Sequence, residues 1–345
     1  MAEVIEHLAD LTANRDRERV DVVFVQAVMS LLAARRVAVY QLVGEAGEWR
    51  WFLCARLEAG EVTPASDPHW VEFQTLSAQA DAPWRSECLS QQTLVIGPQE
   101  PDGATLSVFP LPGEAESATV VEIVTGQPLT PVELRTIQTL LRIYGNFQGL
   151  LDYSQRDTLT GLLNRKTFDE SFMRTALPPS ASLSGGEADG RRPASASQYW
   201  LGVVDIDHFK RVNDNHGHLI GDEVLLLVAR ILRSTFRFQD RLYRFGGEEF
   251  VVMLRCAGEE AAQLAFERFR QHMGEFPFPQ VGQVTASVGF TQVQAGDTPS
   301  AAFERADRAV YHAKQHGRDR VISHAELIRS GALEDAAKVG DVELF

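Results

Sequence analysis

The feature of the sequence that most constrains the fold is an apolar run that ends in acid. Residues 200–206 read WLGVVDI, and such a run predicts a buried central strand. Two more strand patterns, Leu242–Phe245 and Phe250–Leu254, flank Gly246–Gly247, which predicts a hairpin. The remaining periodic patterns predict, in order, a helix, a helix, a strand and a helix: His218–Phe236, Glu259–Met273, Gln283–Gln294 and Ala301–Gln315. This alternation indicates a two-layer α/β domain.

Acidic residues are presented at two of these strand ends. Asp205 ends the first strand, and Glu248 and Glu249 follow the glycine pair. Carboxylates gathered over one sheet edge are how proteins hold hard cations such as Mg²⁺. A Gly-Gly pair followed by acids is, by itself, most often only a surface turn. The chemical interpretation therefore depends on the neighbouring sequence.

That neighbouring sequence is dense in polar residues of the types that bind nucleotides. Six of them occupy positions 205–222: Asp205, Asp207, Lys210, Asn213, Asp214 and Asp222. A lysine beside carboxylates suits a bound triphosphate, because Lys210 and Mg²⁺ can share its charge. Asp and Asn side chains together can recognise guanine through complementary hydrogen bonds. The segment therefore predicts a site for a guanine nucleotide and a divalent cation.

Length and charge limit the remaining possibilities. A chain of 345 residues is long enough for two domains. The net charge of -14 disfavours a nucleic-acid binder, which needs a basic face. The sequence contains no apolar stretch of about 18 residues, so we expect no membrane span. The amino terminus lacks a secretory pattern, and three scattered cysteines form no disulfide framework, so we expect a cytoplasmic protein.

Residues 1–130 have the pattern of an α+β sensor domain, with a helix and several short strands, and the helix predicted after residue 130 closes this layout. The segment from LSVFPLP at 106–112 to the apolar helix near 140 resembles the last strands and final helix of a GAF domain. A generic α+β domain is the alternative. The resemblance does not identify what this domain responds to, which could be a small ligand or a partner protein, and dimerisation could also be its only role.

A long helix is predicted over residues 131–157, with Thr130 as its N-cap and Pro131 in its first turn. Its apolar residues follow a short heptad spacing, which fits either a coiled coil that links two domains or packing onto the first domain. Beyond it we expect a catalytic domain over 158–325 with a mobile insertion at 177–197, which is rich in Pro, Gly, Ser and Ala, and a C-terminal tail over 326–345.

Five segments, in order and spacing, resemble the GGDEF family of diguanylate cyclases: DTLTGLLNR (157–165), DIDHFKRVNDNHGHLIGD (205–222), RLYRFGGEEF (241–250), TASVGF (285–290) and ADRAVYHAKQHGRDRV (306–321). The resemblance implies condensation of two GTP molecules into cyclic di-GMP and pyrophosphate, by two domains that face each other in a homodimer. It also implies a fold like the palm of nucleotidyl cyclases and polymerases.

The resemblance assigns a role to each matching position. Asp205 and Glu248, with the Ile206 carbonyl, correspond to the ligands of Mg²⁺ or Mn²⁺, and Glu248 also to the group that assists deprotonation of the 3′-OH. Glu249 matches the second acid of the signature. The implied GTP contacts are Lys210, Lys314 and Arg318 with the backbone amides of His208 and Phe209 for the phosphates, and Asn213 and Asp222 for guanine. The chain departs from the family pattern at His208, His216, Phe245, Val310 and Asp319.

A second site is implied by Arg237 and Asp240, which form an R-x-x-D motif shortly before the hairpin. An isolated R-x-x-D is usually an exposed ion pair, but at this offset it resembles the product-inhibition site of the family. Two other functions stay open: a catalytically silent receptor for cyclic di-GMP, and a cyclase of mixed guanine–adenine products. The complete set of signature acids favours the enzyme over the receptor, and Asp222 favours guanine.

Overall fold

The computed structural model describes residues 2–45, 47–68, 71–111, 118–176 and 198–333. The chain divides into two compact units, Met1–Ser154 and Gln155–Phe345. The insertion predicted at 177–197 lies outside the described residues, as do positions 334–345 of the predicted tail. No helix in the described part of the chain is long and apolar enough to cross a membrane.

The first unit is a six-stranded sheet in which all neighbouring strands are antiparallel. Its helices are α1 (Ala2–Ala13), α2 (Arg17–Leu32), α3 (Pro83–Gln91) and α4 (Pro131–Gln155). Its strands are β1 (Arg36–Glu45), β2 (Glu48–Glu58), β3 (Ser77–Ala78), β4 (Val95–Ile96), β5 (Thr105–Pro110) and β6 (Thr119–Thr125). The strand order is β3-β2-β1-β6-β5-β4. Alternate residues of β6 belong to different cores, because Val121 and Ile123 pack with α2 and α4, whereas Val120 and Val124 pack with α3.

Helix α4 begins as the sequence predicts. The Thr130 N–H donates to Glu133 Oε2 at 2.7 Å, and the Glu133 N–H donates to Thr130 Oγ1 at 3.3 Å, which is a capping box. The apolar stripe that includes Ile137, Leu140 and Tyr144 is buried in the core of the first unit. Of the two interpretations of that stripe, packing onto the first domain is confirmed, while the coiled coil stays a prediction.

A buried carboxylate lies between α2 and α4. Asp21 is 4% exposed and accepts hydrogen bonds from Tyr144 Oη and Gln148 Nε2. Burial raises the pKa of Asp21 to about 6, although the nearby Arg17 guanidinium and these hydrogen bonds lower it. An ionised carboxylate in this position is therefore a stability cost near neutral pH.

We expect Asp21→Asn to flatten the pH dependence of stability in the first unit. The folded-state pKa of about 6 lies above that of an unfolded Asp, about 3.9. Asp21 therefore contributes stability below pH ~4, and that contribution is lost as the pH rises to about 6, by at most about 3 kcal/mol. Asparagine can accept the same two hydrogen bonds without ionising.

Guanidinium unfolding followed by tryptophan fluorescence tests this expectation, because Trp49, Trp51, Trp70 and Trp84 lie in the first unit and only Trp200 lies in the second. The free energy of unfolding of the wild type, relative to that of the variant, should fall between pH 4 and 7. An equal pH dependence in both proteins would contradict the account.

The second unit is also built on one six-stranded sheet, of order β12-β11-β8-β10-β9-β7. Its strands are β7 (Leu163–Asn164), β8 (Gln198–Ile206), β9 (Arg241–Gly246), β10 (Glu249–Cys256), β11 (Ala286–Gln292) and β12 (Val321–Ser323). Its helices are α5 (Arg165–Ala176), α6 (Phe209–His216), α7 (His218–Thr235), α8 (Glu259–Glu275), α9 (Pro299–Gln315) and α10 (His324–Arg329). Strands β11, β8, β10 and β9 pair antiparallel in the centre, and parallel pairs form both edges.

Two apolar cores cover the opposite faces of this sheet. One packs α7 and α8 against residues such as Val204 and Phe250, and the other packs α5 and α9 against Val203 and Val251. The predicted central strand, hairpin and helices are therefore present, each within a few residues of its expected bounds.

Helix α9 lies unusually close to strand β11. A Cβ atom on Gly289 would lie 2.2 Å from the backbone oxygen of Ala306, so only glycine allows this approach. The facing side of α9 is a row of small buried residues that includes Ala302, Ala309 and Ala313. Close packing holds the C-terminal end of α9 near the ends of the central strands.

Candidate active site

The sheet brings the predicted acids together at one end of its central strands β8 and β10, which we call the acidic edge. Asp205, near the end of β8, is paired in register with Glu249 of β10 and with Ser287 of β11. The Ile206 N–H donates to the Glu248 carbonyl at 3.3 Å, so the hairpin is attached to the end of β8. Antiparallel pairing places the end of β8 beside the start of β10, which is why residues more than 40 positions apart meet here.

Lys314 joins these acids from α9. Its Nζ lies 2.7 Å from Asp205 Oδ2, and the Asp205 side chain is 9% exposed. Burial raises the pKa of Asp205, while the hydrogen bond and charge of Lys314 oppose the rise. The lysine therefore offsets part of the cost of placing this carboxylate in the protein interior.

The neighbouring glutamates are also perturbed. Burial raises the pKa of Glu248 and of Glu249, and the charge of Asp205 raises both further. The charge of Lys314 opposes both rises, and the charge of Arg165 opposes the rise at Glu249. Both pKa values are raised nonetheless, and such a set of carboxylates gains stability when a further cation binds.

The donor atoms at this edge fit a hard divalent cation. Two carboxylates, Asp205 and Glu248, lie beside the Ile206 backbone, and all three groups offer oxygen. Among the residues that the structure describes, no three His, Cys, Asp or Glu side chains form a metal-holding group by themselves. A metal at this edge would therefore use the backbone carbonyl, and substrate oxygens or water, in addition to the two carboxylates.

Apart from Lys314 on α9, the residues predicted to contact the nucleotide lie at the start of α6 and along it, on α7 and in the loop after α9. A Cβ on Gly221 would lie only 1.9 Å from Asn213 Oδ1, so the Asn213 side chain rests against the helical turn that carries Asp222. Lys210 and Asp222 are exposed, and Arg318 is partly buried. His208 precedes α6 with φ 59°, and the Phe209 amide belongs to the first turn of that helix, where backbone N–H groups lack helical partners.

Two residues that hold the hairpin were not assigned a role from the sequence. Arg244 Nη2 and Nε donate to the Gly247 carbonyl at 2.9 and 3.3 Å. Its Nη1 donates to Asp157 Oδ1 at 3.0 Å. Arg244 thereby connects the glycine turn to the first residues of the second unit. Their membership of the segments RLYRFGGEEF and DTLTGLLNR was the available signal.

Arg237 and Asp240 form a tight turn between α7 and β9. The Arg237 N–H donates to Asp240 Oδ2 at 2.9 Å, and the Asp240 N–H donates to the Arg237 carbonyl at 3.0 Å. The turn ends at Asp240, directly before β9, and Gly246 is the last residue of that strand. Six residue steps therefore lead from Asp240 to Gly246, about 20 Å at 3.3 Å per residue. The structure therefore does not bring this motif together with the acids of the opposite edge.

Comparison with known families adds an independent finding. Residues 154–320 match the family model described as the GGDEF domain of diguanylate cyclases. The match covers four of the five segments in full and the fifth up to Arg320, and it includes Asp205, Glu248 and Glu249. The second unit contains a GGDEF domain.

Two curated relatives align with the chain. The diguanylate cyclase DgcP of Pseudomonas aeruginosa is 41% identical over 168 residues, which are 48% of this chain and 23% of DgcP. The response regulator PleD of Caulobacter vibrioides is 34% identical over 255 residues, which are 70% of this chain and 52% of PleD. The chain thus spans from about a quarter to half the length of these relatives.

A solved structure also aligns with the GGDEF domain. The GGDEF domain of DgcB from Caulobacter crescentus, solved in complex with cyclic di-GMP, is 30% identical and covers 50% of this chain and 96% of that one, with a TM-score of 0.42. Diguanylate cyclases of this family generally use divalent metal ions, in agreement with the oxygen donors at the acidic edge.

We expect Asp205→Asn to leave the metal-free melting temperature unchanged or to raise it. The amide removes a buried charge that raises the pKa of Glu248 and Glu249, which offsets the loss of the Lys314 ion pair. The same change should abolish the rise in melting temperature that Mn²⁺ or Mg²⁺ causes in the wild type, since a ligand stabilises only what it binds.

Asp297→Asn is the matched control. Asp297 accepts from Arg305 at 2.6 Å, at the other end of α9, so this variant should melt earlier and still respond to metal. Calorimetry with and without metal measures both effects. A full metal response in Asp205→Asn would show that the cation binds elsewhere.

Proposed function

We propose that this protein is a diguanylate cyclase that condenses two GTP molecules into cyclic di-GMP and pyrophosphate. The observation that carries the proposal is the meeting of Asp205, Glu248 and Lys314 at one sheet edge within a GGDEF domain. Each of these groups has a task in phosphoryl transfer, which is catalysed by positioning and by charge stabilisation.

In the proposed mechanism the carboxylates hold a divalent metal. Asp205, Glu248 and the Ile206 carbonyl would be its protein ligands, and the bound ion would neutralise phosphate charge and make the attacking 3′-OH more acidic. Glu248 has a raised pKa, which suits a group that receives the 3′-OH proton. Lys314, Lys210 and Arg318 would bind the triphosphate oxygens, together with the first amides of α6.

Guanine selection is proposed for Asn213 and Asp222. The carboxylate of Asp222 can accept from the N1–H and exocyclic amino group of guanine, and the amide of Asn213 can complete the pattern. Adenine lacks this pair of donors, which argues against mixed products. One domain offers one such site, so formation of a cyclic dinucleotide requires two domains and, we propose, a homodimer.

The first unit is proposed to be a GAF-like sensor that regulates the cyclase. Support comes from its antiparallel sheet, with α2 and α4 on one face and α3 on the other. Its chain continues into the second unit through α4, which we propose is the signalling helix. The regulating partner is a small ligand or a protein, with dimerisation alone as the alternative.

We expect concentrated, product-free protein to convert GTP to cyclic di-GMP with Mg²⁺ or Mn²⁺. Glu248→Gln should reduce turnover by at least about 100-fold, because it removes both a charged metal ligand and the proton acceptor. Chromatography of radiolabelled GTP products measures this. Glu260→Gln, an exposed substitution at the start of α8, should behave as wild type.

The same proteins also test the alternative function, a catalytically silent receptor for cyclic di-GMP. Failure of the wild type to make cyclic di-GMP, combined with tight binding of added cyclic di-GMP, would replace the enzyme by a receptor. Near-wild-type turnover in Glu248→Gln would show that the proposed catalytic group is misplaced.

We expect Arg237→Ala to weaken product inhibition about tenfold or more while leaving initial turnover intact. The guanidinium would bind a phosphate or guanine of cyclic di-GMP, and loss of such a charged contact costs about 1.5–3 kcal/mol. The turn lies at the other end of β9 from the glycine pair, so catalysis should be spared.

Inhibition curves and calorimetric titration with cyclic di-GMP measure the effect, with Arg230→Ala, an exposed change on α7, as the control. Unchanged inhibition in Arg237→Ala would mean that feedback acts only by competition at the active site.

A further inference from the structure

Asp207 is a second buried acid, directly after the last residue of the strand that carries Asp205, and it contacts a different set of groups. It is 4% exposed. Its Oδ1 accepts from Ser287 Oγ at 2.7 Å, and its Oδ2 accepts from Thr285 Oγ1 at 2.7 Å and from the Asp319 N–H at 3.0 Å. Both oxygens therefore have donors within the domain, and one donor belongs to the loop after α9.

That loop has a backbone that residues with side chains rarely adopt. Gly317, Arg318 and Asp319 have φ angles of 105°, 59° and 44°, so two consecutive non-glycine residues are left-handed. Such a conformation persists only where its surroundings determine it. The Arg318 N–H donates to the Ala313 carbonyl at 3.0 Å, which returns the loop to α9, and the next N–H, that of Asp319, donates to Asp207.

The contact to Asp207 orients Arg318 through the geometry of the peptide bond. The Asp319 N–H belongs to the planar peptide unit that also contains the Arg318 Cα. Once that N–H is directed at Asp207, the plane is fixed, and with it the point from which the Arg318 side chain leaves the backbone. The Asp319 side chain is held separately, by Arg270 Nη1 at 2.7 Å.

Asp207 also restrains the metal side of the site. Its own N–H donates to the Thr285 carbonyl at 2.9 Å. This N–H shares a trans peptide plane with the Ile206 carbonyl, so the carbonyl points in the opposite direction, away from Thr285. Asp207 thus fixes two peptide planes. Its N–H fixes the plane that contains the Ile206 carbonyl, and its carboxylate fixes the plane between Arg318 and Asp319.

We infer that Asp207 is a positioning residue that fixes where Arg318 lies relative to Asp205 and Ile206. The triphosphate is then held at once by the metal that Asp205 and Ile206 bind and by Arg318 of the loop after α9. This inference rests on the diguanylate cyclase activity proposed above. Asp207 itself contacts protein groups, and its effect on GTP passes through Arg318.

The test is a double-mutant cycle on binding of a non-hydrolysable GTP analogue to the full chain. Asp207→Ala should weaken binding about tenfold, the scale of one lost charge-assisted contact, with a parallel rise in the KM for GTP and a smaller change in kcat. In an Arg318→Ala background, Asp207→Ala should have little further effect, because the two residues act through one contact.

Asp207→Asn should restore most of the binding. Its amide oxygen can accept from the Asp319 N–H and from Thr285, and its amino group can donate to Ser287 Oγ. Asp297→Ala is the stability control, because it removes a carboxylate that accepts from Arg305 and Gln294 at the other end of α9. It should lower the melting temperature and leave nucleotide affinity unchanged.

Hydrogen exchange of residues 316–320 gives a readout that needs no nucleotide. Exchange of the Asp319 amide should accelerate in Asp207→Ala and not in Asp297→Ala. Additive effects of Asp207→Ala and Arg318→Ala, or unchanged affinity in Asp207→Ala, would overturn the inference. A wild type that binds the analogue but makes no cyclic di-GMP would overturn only the proposed function, and a wild type that binds no analogue would overturn both.

Discussion

The chemistry of the second unit depends on carboxylate crowding at one sheet edge. Asp205, Glu248 and Glu249 meet where β8 ends and β10 begins. Each has a raised pKa because burial, and to a lesser extent the charge of nearby carboxylates, disfavours its ionised form. Lys314 is the cation that α9 supplies. Such an arrangement costs stability unless further positive charge arrives, which supports the proposal that a cation and its phosphate ligand bind at this edge.

The elements around this edge hold it in place through a small number of directional contacts. Arg244 connects the Gly247 carbonyl to Asp157, which restrains the hairpin. Gly289 permits the close approach of α9 that brings Lys314 to Asp205. Because interior packing is nearly as dense as in a crystal, these contacts define the positions of the acids closely, which suits the phosphoryl transfer proposed above.

Much of this arrangement could be predicted from the sequence, because the apolar run before Asp205 and the Gly-Gly turn before Glu248 are local patterns. The contacts between distant residues that complete the site could not be predicted in this way. Lys314 is more than 100 positions from Asp205, and a carboxylate such as Asp207, two residues after Asp205, has no local pattern that separates it from a metal ligand. In the first unit, the heptad spacing of α4 fitted two structures. The burial of Ile137, Leu140 and Tyr144 in the core of that unit, with Tyr144 stacked on Phe24, shows that the stripe packs onto the first domain.

The most direct measurement of the central claim is the position of the cation. Crystals of the full chain with Mn²⁺ and a non-hydrolysable GTP analogue, examined by anomalous diffraction, should show Mn²⁺ coordinated by oxygens of Asp205, Glu248 and the Ile206 carbonyl. The triphosphate should lie between that ion and Lys314. A cation coordinated away from Asp205 and Glu248, with the analogue bound, would contradict the account.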